Sequence, residues 1–354
     1  MNAVQPNSLT VATVNVNGIR AAVKVRHEDN QGMLPWLEQT PADVVLMQEV
    51  RADEKQTQAA LAPALEAGWY LVQAPAAAKG RAGVGILSRR PLRDVQVGFG
   101  FGGDATAEIP AAREFDGSGR YIEATVEGPG GQDVRVASLY LPSGSAKTEK
   151  QDEKYRFMDA FTEYLNQRAE ARAKATDGPE GLELVVGGDW NICHRRADLK
   201  NWKTNRTKSG FLPDERSFLD ALLGTYPDGA TQVGDAEDSG RNGNPGGAAG
   251  DFFGAVDYQP GEAARVRLAA GAAAEPQYFD VVRRLNPESD GPYSWWTYRG
   301  QAFDTDAGWR IDLQVATEGL LERALKADNA WVDRAAAYDQ RWSDHSPVVV
   351  EYAE

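Results

Sequence analysis

The chain has 354 residues, 42% hydrophobic and 25% charged; this is globular composition with length for a sizeable core, and it excludes generic disorder. Its formal charge is −14, from 38 Lys and Arg against 52 Asp and Glu, which taken alone argues against an anionic partner. One cysteine (Cys193) and three histidines (His27, His194, His345) exclude an internal disulfide and a thiolate- or imidazole-rich metal centre. Any metal is then expected to be a hard cation on carboxylate and amide oxygens.

Residues 1–8 show no charged segment leading into an apolar run, so no secretory leader is expected, and no apolar run is long enough for a membrane span. Strand-like runs occur at 9–16, 43–48, 83–88, 121–126, 134–141, 182–188, 311–316 and 346–352, several rich in Val and Ile and bounded by Gly, Pro or Asp. Between them, 147–173 carries Tyr155, Met158, Phe161, Thr162 and Leu165 at helical spacing. Residues 213–223 start Pro213-Asp214-Glu215 and continue Phe218, Leu219, Leu222, another helix with acids in its first turn. The loose alternation reads as an α/β layered protein. Residues 228–276 are Gly/Ala-rich and acidic and read as a partly mobile surface insertion on one domain spanning 1–354. Residues 194–216 instead hold seven Lys and Arg against three acids. That is either a solvated loop or a surface for a polyanion, whose binding would depend strongly on salt.

Polar residues gather at strand ends: Asn15 and Asn17, Gln48-Glu49, Tyr140, Asp189 and Asn191, and Asp312, with Asp344-His345 just before the last strand. One such residue is usually a turn or cap. Several together suggest a site at the edges of the sheets.

These residues sit in motifs that resemble the exonuclease III and apurinic/apyrimidinic (AP) endonuclease family of metal-dependent phosphodiesterases. The motifs are Asn15-Val-Asn17-Gly18-Ile-Arg20, Gln48-Glu49, Tyr140-Leu-Pro142, Gly188-Asp189-Trp-Asn191, Asp198-Leu-Lys-Asn201, Gly210-Phe211-Leu-Pro213-Asp-Glu215-Arg216, Tyr293-Ser-Trp-Trp296, Gly308-Trp309-Arg310-Ile-Asp312 and Ser343-Asp344-His345-Ser-Pro347. The likeness runs nearly end to end, with 228–276 outside it. It implies a four-layer sandwich, two mixed β-sheets face to face with helices outside, although the strand pattern alone also allows an ordinary three-layer fold.

The resemblance also implies roles. Glu49 looks like the main metal carboxylate, with Asn15, Asn17 and Asp344 completing or orienting a site for Mg²⁺ or Mn²⁺, directly or through water. His345 resembles the phosphate-facing histidine and Asp312 its carboxylate partner. Asp189 looks like the base that aligns the attacking water, a role some family mechanisms give to a hydroxide carried by the metal. Asn191, projecting from an extended segment, would donate to the phosphate. Tyr140 would do the same from its hydroxyl, or alternatively act as a phenolate. Trp295, Trp309 and Ile311 resemble a pocket for a flipped-out abasic sugar, with Trp296 in the core. Arg20, Arg81, Asn201, Lys203, Asn205 and Lys208 are candidate DNA-backbone contacts.

Two positions depart from the family's usual residues: Ser143, where an amide is common, and Arg51, near a usual lysine. The activity implied is cleavage 5′ to abasic sites in double-stranded DNA, with 3′→5′ exonuclease and 3′-end cleaning, by a cytoplasmic monomer. The alternatives are an exonuclease with little AP endonuclease activity, or a non-catalytic nucleic-acid-binding regulator on the same fold.

Overall fold

The computed structural model describes residues 7–100, 107–175, 181–227, 252 and 254–354. Its strands are β1 (Ser8–Asn15), β2 (Val44–Gln48), β3 (Tyr70–Ala74), β4 (Val84–Ser88), β5 (Arg93–Val97), β6 (Tyr121–Glu127), β7 (Asp133–Tyr140), β8 (Leu184–Asp189), β9 (Phe279–Asp280), β10 (Asp312–Ala316), β11 (Ala330–Val332) and β12 (Val348–Ala353). They form two six-stranded sheets, ordered β11-β12-β1-β2-β4-β3 and β5-β6-β7-β8-β10-β9. Each sheet has one parallel pair at its centre, β1/β2 and β7/β8, flanked by antiparallel pairs.

The strands are apolar on both faces because both faces are covered. Leu9, Val11, Val44 and Leu46 point between the sheets and meet Ile122, Val136 and Val185. The alternate residues Ala12, Val14, Val45 and Met47 face outward, under Met33 and Leu37 of the helix Met33–Gln39. On the far side, Phe157, Phe161 and Tyr164 of the helix Glu149–Lys174 cover Leu139, Val186 and Leu313. The order is therefore helices, sheet, sheet, helices: the four-layer sandwich, not the three-layer alternative.

At the end nearest the polar cluster the sheets approach closely. A Cβ on Gly187 would lie 2.5 Å from Leu46 Cδ1 and 3.1 Å from Thr13 Cβ. There the contact is partly polar: Gln48 Nε2 donates to Ser138 Oγ (3.0 Å), which donates to the Met47 carbonyl (2.8 Å).

Of the acidic segment, 228–251 and 253 lie outside the described residues. From residue 254 onward the chain packs onto the outer helix. The Val256 and Asp257 amides both donate to the Asp152 carboxylate (2.9 Å). Tyr258 is buried against Tyr155 and Phe252, and Arg267 of the helix Glu262–Ala270 pairs with Asp159 (2.7 Å).

Candidate active site

The parallel pairs deliver polar residues to one end of the sandwich. β1 and β2 end at Asn15 and Gln48-Glu49, and β7 and β8 end at Tyr140 and Asp189. The antiparallel β10 brings its first residue, Asp312, into register with Asp189. Asp344 and His345 arrive just before β12. An open cleft of about 480 Å³ lies over this end, lined among others by Asn17, Glu49, Tyr140, Asp189, Asn191, Asp344 and His345. Asn15 and Asp312 lie beneath, both buried.

Asn15 links the two sheets. Its Nδ2 donates to Glu49 Oε1 and to Asp189 Oδ2, both at 2.9 Å, and its Oδ1 accepts the Asn17 backbone N–H at 2.9 Å. That last bond fixes which way the amide faces, so Asn15 presents its amino group to the carboxylates and orients them. Asn17 Nδ2 donates to Asp344 Oδ1 (2.8 Å), and Glu49 is ion-paired with Arg51. Asn17, Glu49 and Asn191 have left-handed φ values of 48°, 50° and 51°. For a residue such as glutamate this costs on the order of 1–3 kcal/mol, a strain that collects where function needs a side chain re-aimed.

Asn191 corrects the expectation of an extended segment. β8 stops at Asp189, and the chain turns so that the Asn191 N–H donates to Asp189 Oδ1 (3.0 Å) while its Nδ2 donates to the Leu141 carbonyl (2.8 Å). The Asp189 carboxylate captures the backbone locally and curls it, as Asx turns do.

His345 Nδ1 bonds Asp312 Oδ2 at 2.8 Å, and its Nε2 lies 3.9 Å from Asp189 Oδ2. Ser294 Oγ donates to the same Asp312 oxygen (2.6 Å). Burial alone would lower the His345 pKa, but the charges of Asp312 and Asp189 outweigh it and raise it to about 10. Burial, and secondarily the Asp312 charge, pushes Asp189 up to about 7 against the opposing pull of His345. Burial, with the charges of Glu49 and Asp189, holds the Tyr140 phenol protonated well above its usual range. Tyr140 is thus suited to donating a hydrogen bond and poorly suited to acting as a phenolate.

Two groupings could be read as cation sites. Asp189, Asp312 and His345 have ligand atoms within 4.8 Å of one another. Its histidine already spends Nδ1 on Asp312, with Nε2 facing Asp189, so the grouping is described first as a hydrogen-bonded row. Glu49, Asp344 and the amide oxygen of Asn17 are oxygen donors that line the open cleft, a set that suits a hard cation.

Trp295, Trp309 and Ile311 form one wall of the cleft, Trp295 and Trp309 edge-to-face at 5.7 Å. The wall is not purely apolar, because Trp295 Nε1 donates to Asp344 Oδ2 (3.0 Å). Trp296 is 1% exposed and lies in the core. Arg20, Arg81, Asn201, Lys203 and Lys208 are exposed and Asn205 half-buried; all lie outside the cleft lining. The basic surface of 194–216 is narrower than its composition suggests. Arg195 and Arg216 are buried, Arg195 against Asp220 and Arg216 on the His194 carbonyl. The motifs quoted from the sequence contain Ser294, Ser343 and Gly210, but gave them no role; Ser343 Oγ donates to the Asn15 carbonyl (2.6 Å). A Cβ on Gly210 would lie 2.8 Å from Trp309 Cζ3, with φ at +93°.

A two-sheet sandwich with this polar end is the architecture of one class of phosphoester-cleaving proteins, and the chain belongs to it: residues 12–345 match the Endonuclease/Exonuclease/phosphatase family. An exodeoxyribonuclease of Bacillus subtilis (strain 168) is 26% identical over 334 residues, covering 94% of this chain and 95% of the relative. The DNA repair nuclease APEX1 of Danio rerio is 25% identical over 343 residues, 97% of this chain and 82% of the relative. A 3′ phosphatase from Neisseria, solved with a product DNA hairpin, superposes with a TM-score of 0.66 at 23% identity, covering 98% of this chain and 100% of that one.

Proposed function

We propose that this chain is a divalent-cation-dependent DNA repair phosphodiesterase that cleaves 5′ to abasic sites and acts on 3′ ends as an exonuclease and end-cleaning enzyme. The observation that carries the reading is the buried row Asp312–His345–Asp189 opening beside Glu49 and Asp344. His345 Nε2 and Asp189 Oδ2, 3.9 Å apart at the floor of the cleft, support reading the two as proton donor and proton acceptor. The names of the exodeoxyribonuclease and DNA repair nuclease relatives support DNA as the substrate.

Glu49 would hold Mg²⁺, or Mn²⁺ in its place, with Asp344 and Asn17 completing the site and Asn15 orienting Glu49. When bound, the cation supplies positive charge to the phosphate and to the leaving oxygen. Asp189, with its pKa near 7, aligns and deprotonates the attacking water. His345 donates from Nε2 to a phosphate oxygen while Asp312 holds its other proton. The Asn191 amide and the Tyr140 hydroxyl add neutral donors. Trp295, Trp309 and Ile311 would admit a sugar lacking its base and exclude one that carries it. Arg20, Arg81, Asn201, Lys203, Asn205 and Lys208 would grip the DNA backbone.

Two further expectations belong to this proposal: a monomer, checked by light scattering, and a cytoplasmic enzyme. Among the described residues no helix is long and apolar enough to cross a membrane.

The test is incubation with a duplex carrying one abasic analogue and with a matched intact duplex, in Mg²⁺ and in EDTA, beside the Glu49→Ala, His345→Ala double variant. A Mg²⁺-dependent cut 5′ to the analogue, absent in the variant, is expected. Shortening from 3′ ends alone would leave an exonuclease and return the tryptophans to packing. DNA binding without any cleavage would overturn the enzyme reading.

A further inference from the structure

Several buried charge pairs lie outside the machinery assigned above, and one of them reaches the cleft walls. Lys154, on the helix Glu149–Lys174, and Glu215, in the first turn of the helix Pro213–Leu223, are both fully buried, with Nζ and Oε1 2.6 Å apart. Neither lines the cleft. Most of their remaining hydrogen bonds run to segments that do.

Lys154 Nζ donates to the Asn191 carbonyl (3.0 Å) and approaches the Ser143 carbonyl and Ser209 Oγ, each at 3.4 Å. Glu215 Oε2 accepts the backbone N–H of Gly210 (2.7 Å) and of Leu212 (3.0 Å), and its Oε1 accepts Gln151 Nε2 (2.9 Å) and Ser209 Oγ (3.1 Å). Asn191 is thereby held from both sides of its left-handed turn, its N–H by Asp189 and its carbonyl by Lys154. Gly210, the residue against Trp309, is held by Glu215. A buried pair seldom raises stability over an apolar replacement, because desolvation offsets the attraction. Its fixed geometry is what an apolar pair would not reproduce.

We propose that Lys154 and Glu215 are positioning residues. They set Asn191 and the Ser209–Gly210 wall at the height the phosphate requires, acting on the reaction through those residues without touching substrate. The inference rests on the nuclease reading of the cleft.

The test compares wild type, Lys154→Met, Glu215→Gln and the double variant, which leaves no unpaired buried charge, with Asn191→Ala as a reference. kcat and KM are measured on the cleaved duplex below the Tm of each protein. Backbone amide exchange is followed by NMR without metal or DNA. The expected result is a kcat lowered ~10- to 100-fold in the double variant, KM within about 3-fold, the order of effect of a displaced reactive group. The Asn191 and Gly210 amides should exchange faster while the Val186 amide, in the β8 strand, does not. A double variant with a lower Tm but wild-type kcat and wild-type exchange at Asn191 would overturn the proposal, leaving a pair that is only structural. If the single variants fail to fold, the double variant decides; if it also fails, amide exchange in Gln151→Leu, which removes one ligand of Glu215, decides, with unchanged Gly210 exchange counting against the proposal. A wild type that cuts nothing would instead sink the nuclease reading, while the exchange result still reports on the pair.

Discussion

At the scale of single residues, the proposed site would work by keeping unlike groups in unlike protonation states. Asp189 loses its proton near pH 7 and His345 keeps its own to about 10. Activity should therefore climb as pH rises through about 7, where Asp189 becomes a carboxylate, and fall as pH approaches 10, where His345 becomes neutral. Asp312→Asn removes the charge that raises the His345 pKa. Its falling limb should move to lower pH, with kcat down by a factor on the order of 10²–10⁴, typical for losing a positioned acid. A pH–rate profile checks both limbs; an unmoved falling limb would mean His345 is not the group titrating there. Most of this site was legible because a carboxylate or amide closing an apolar run stands out in a single chain. Ser294 and Ser343 did not stand out. Their partners, Asp312 and the Asn15 carbonyl, are brought to them only by the folded chain.

At the scale of elements, legibility followed burial. β1 and β12 matched their apolar runs to within a few residues, since both faces of each strand are covered. β5, with the sequence Arg-Asp-Val-Gln-Val, was missed because it is an edge strand, mostly exposed, and carries the charges that edges carry. The close approach of the sheets depends on Gly187. Gly187→Val should destabilise the protein by about 1–3 kcal/mol through overpacking against Leu46 and Thr13. Urea unfolding with an unchanged m-value would verify it. The segment after 254 reads in sequence as loose and acidic, yet Tyr258 is buried. Tyr258→Ala should cost roughly 3 kcal/mol, the loss of a buried aromatic. Its kcat should stay at the wild-type value, because its contacts lie on the outer helix.

At the scale of the whole molecule, a net charge of −14 must be reconciled with a polyanionic substrate. The exposed Lys203 and Lys208 lie on the narrowed basic surface. Lys203→Ala with Lys208→Ala should reduce the slope of log K against log salt by about 0.9 for each phosphate contact removed. Filter binding of duplex DNA between low and moderate salt would show this. An unchanged slope would place both lysines in solvent only.

The hydrogen bond from Asn17 to Asp344 joins residues 327 positions apart, and β1 pairs with β12 along their length. Domains are made N-terminus first. A ribosome can therefore finish Asn15, Glu49 and Asp189 long before Asp344 and His345 exist. Asp344 and His345 can join Asn15, Glu49 and Asp189 only after synthesis has passed residue 345, so the polar end of the cleft cannot be assembled on a shorter growing chain.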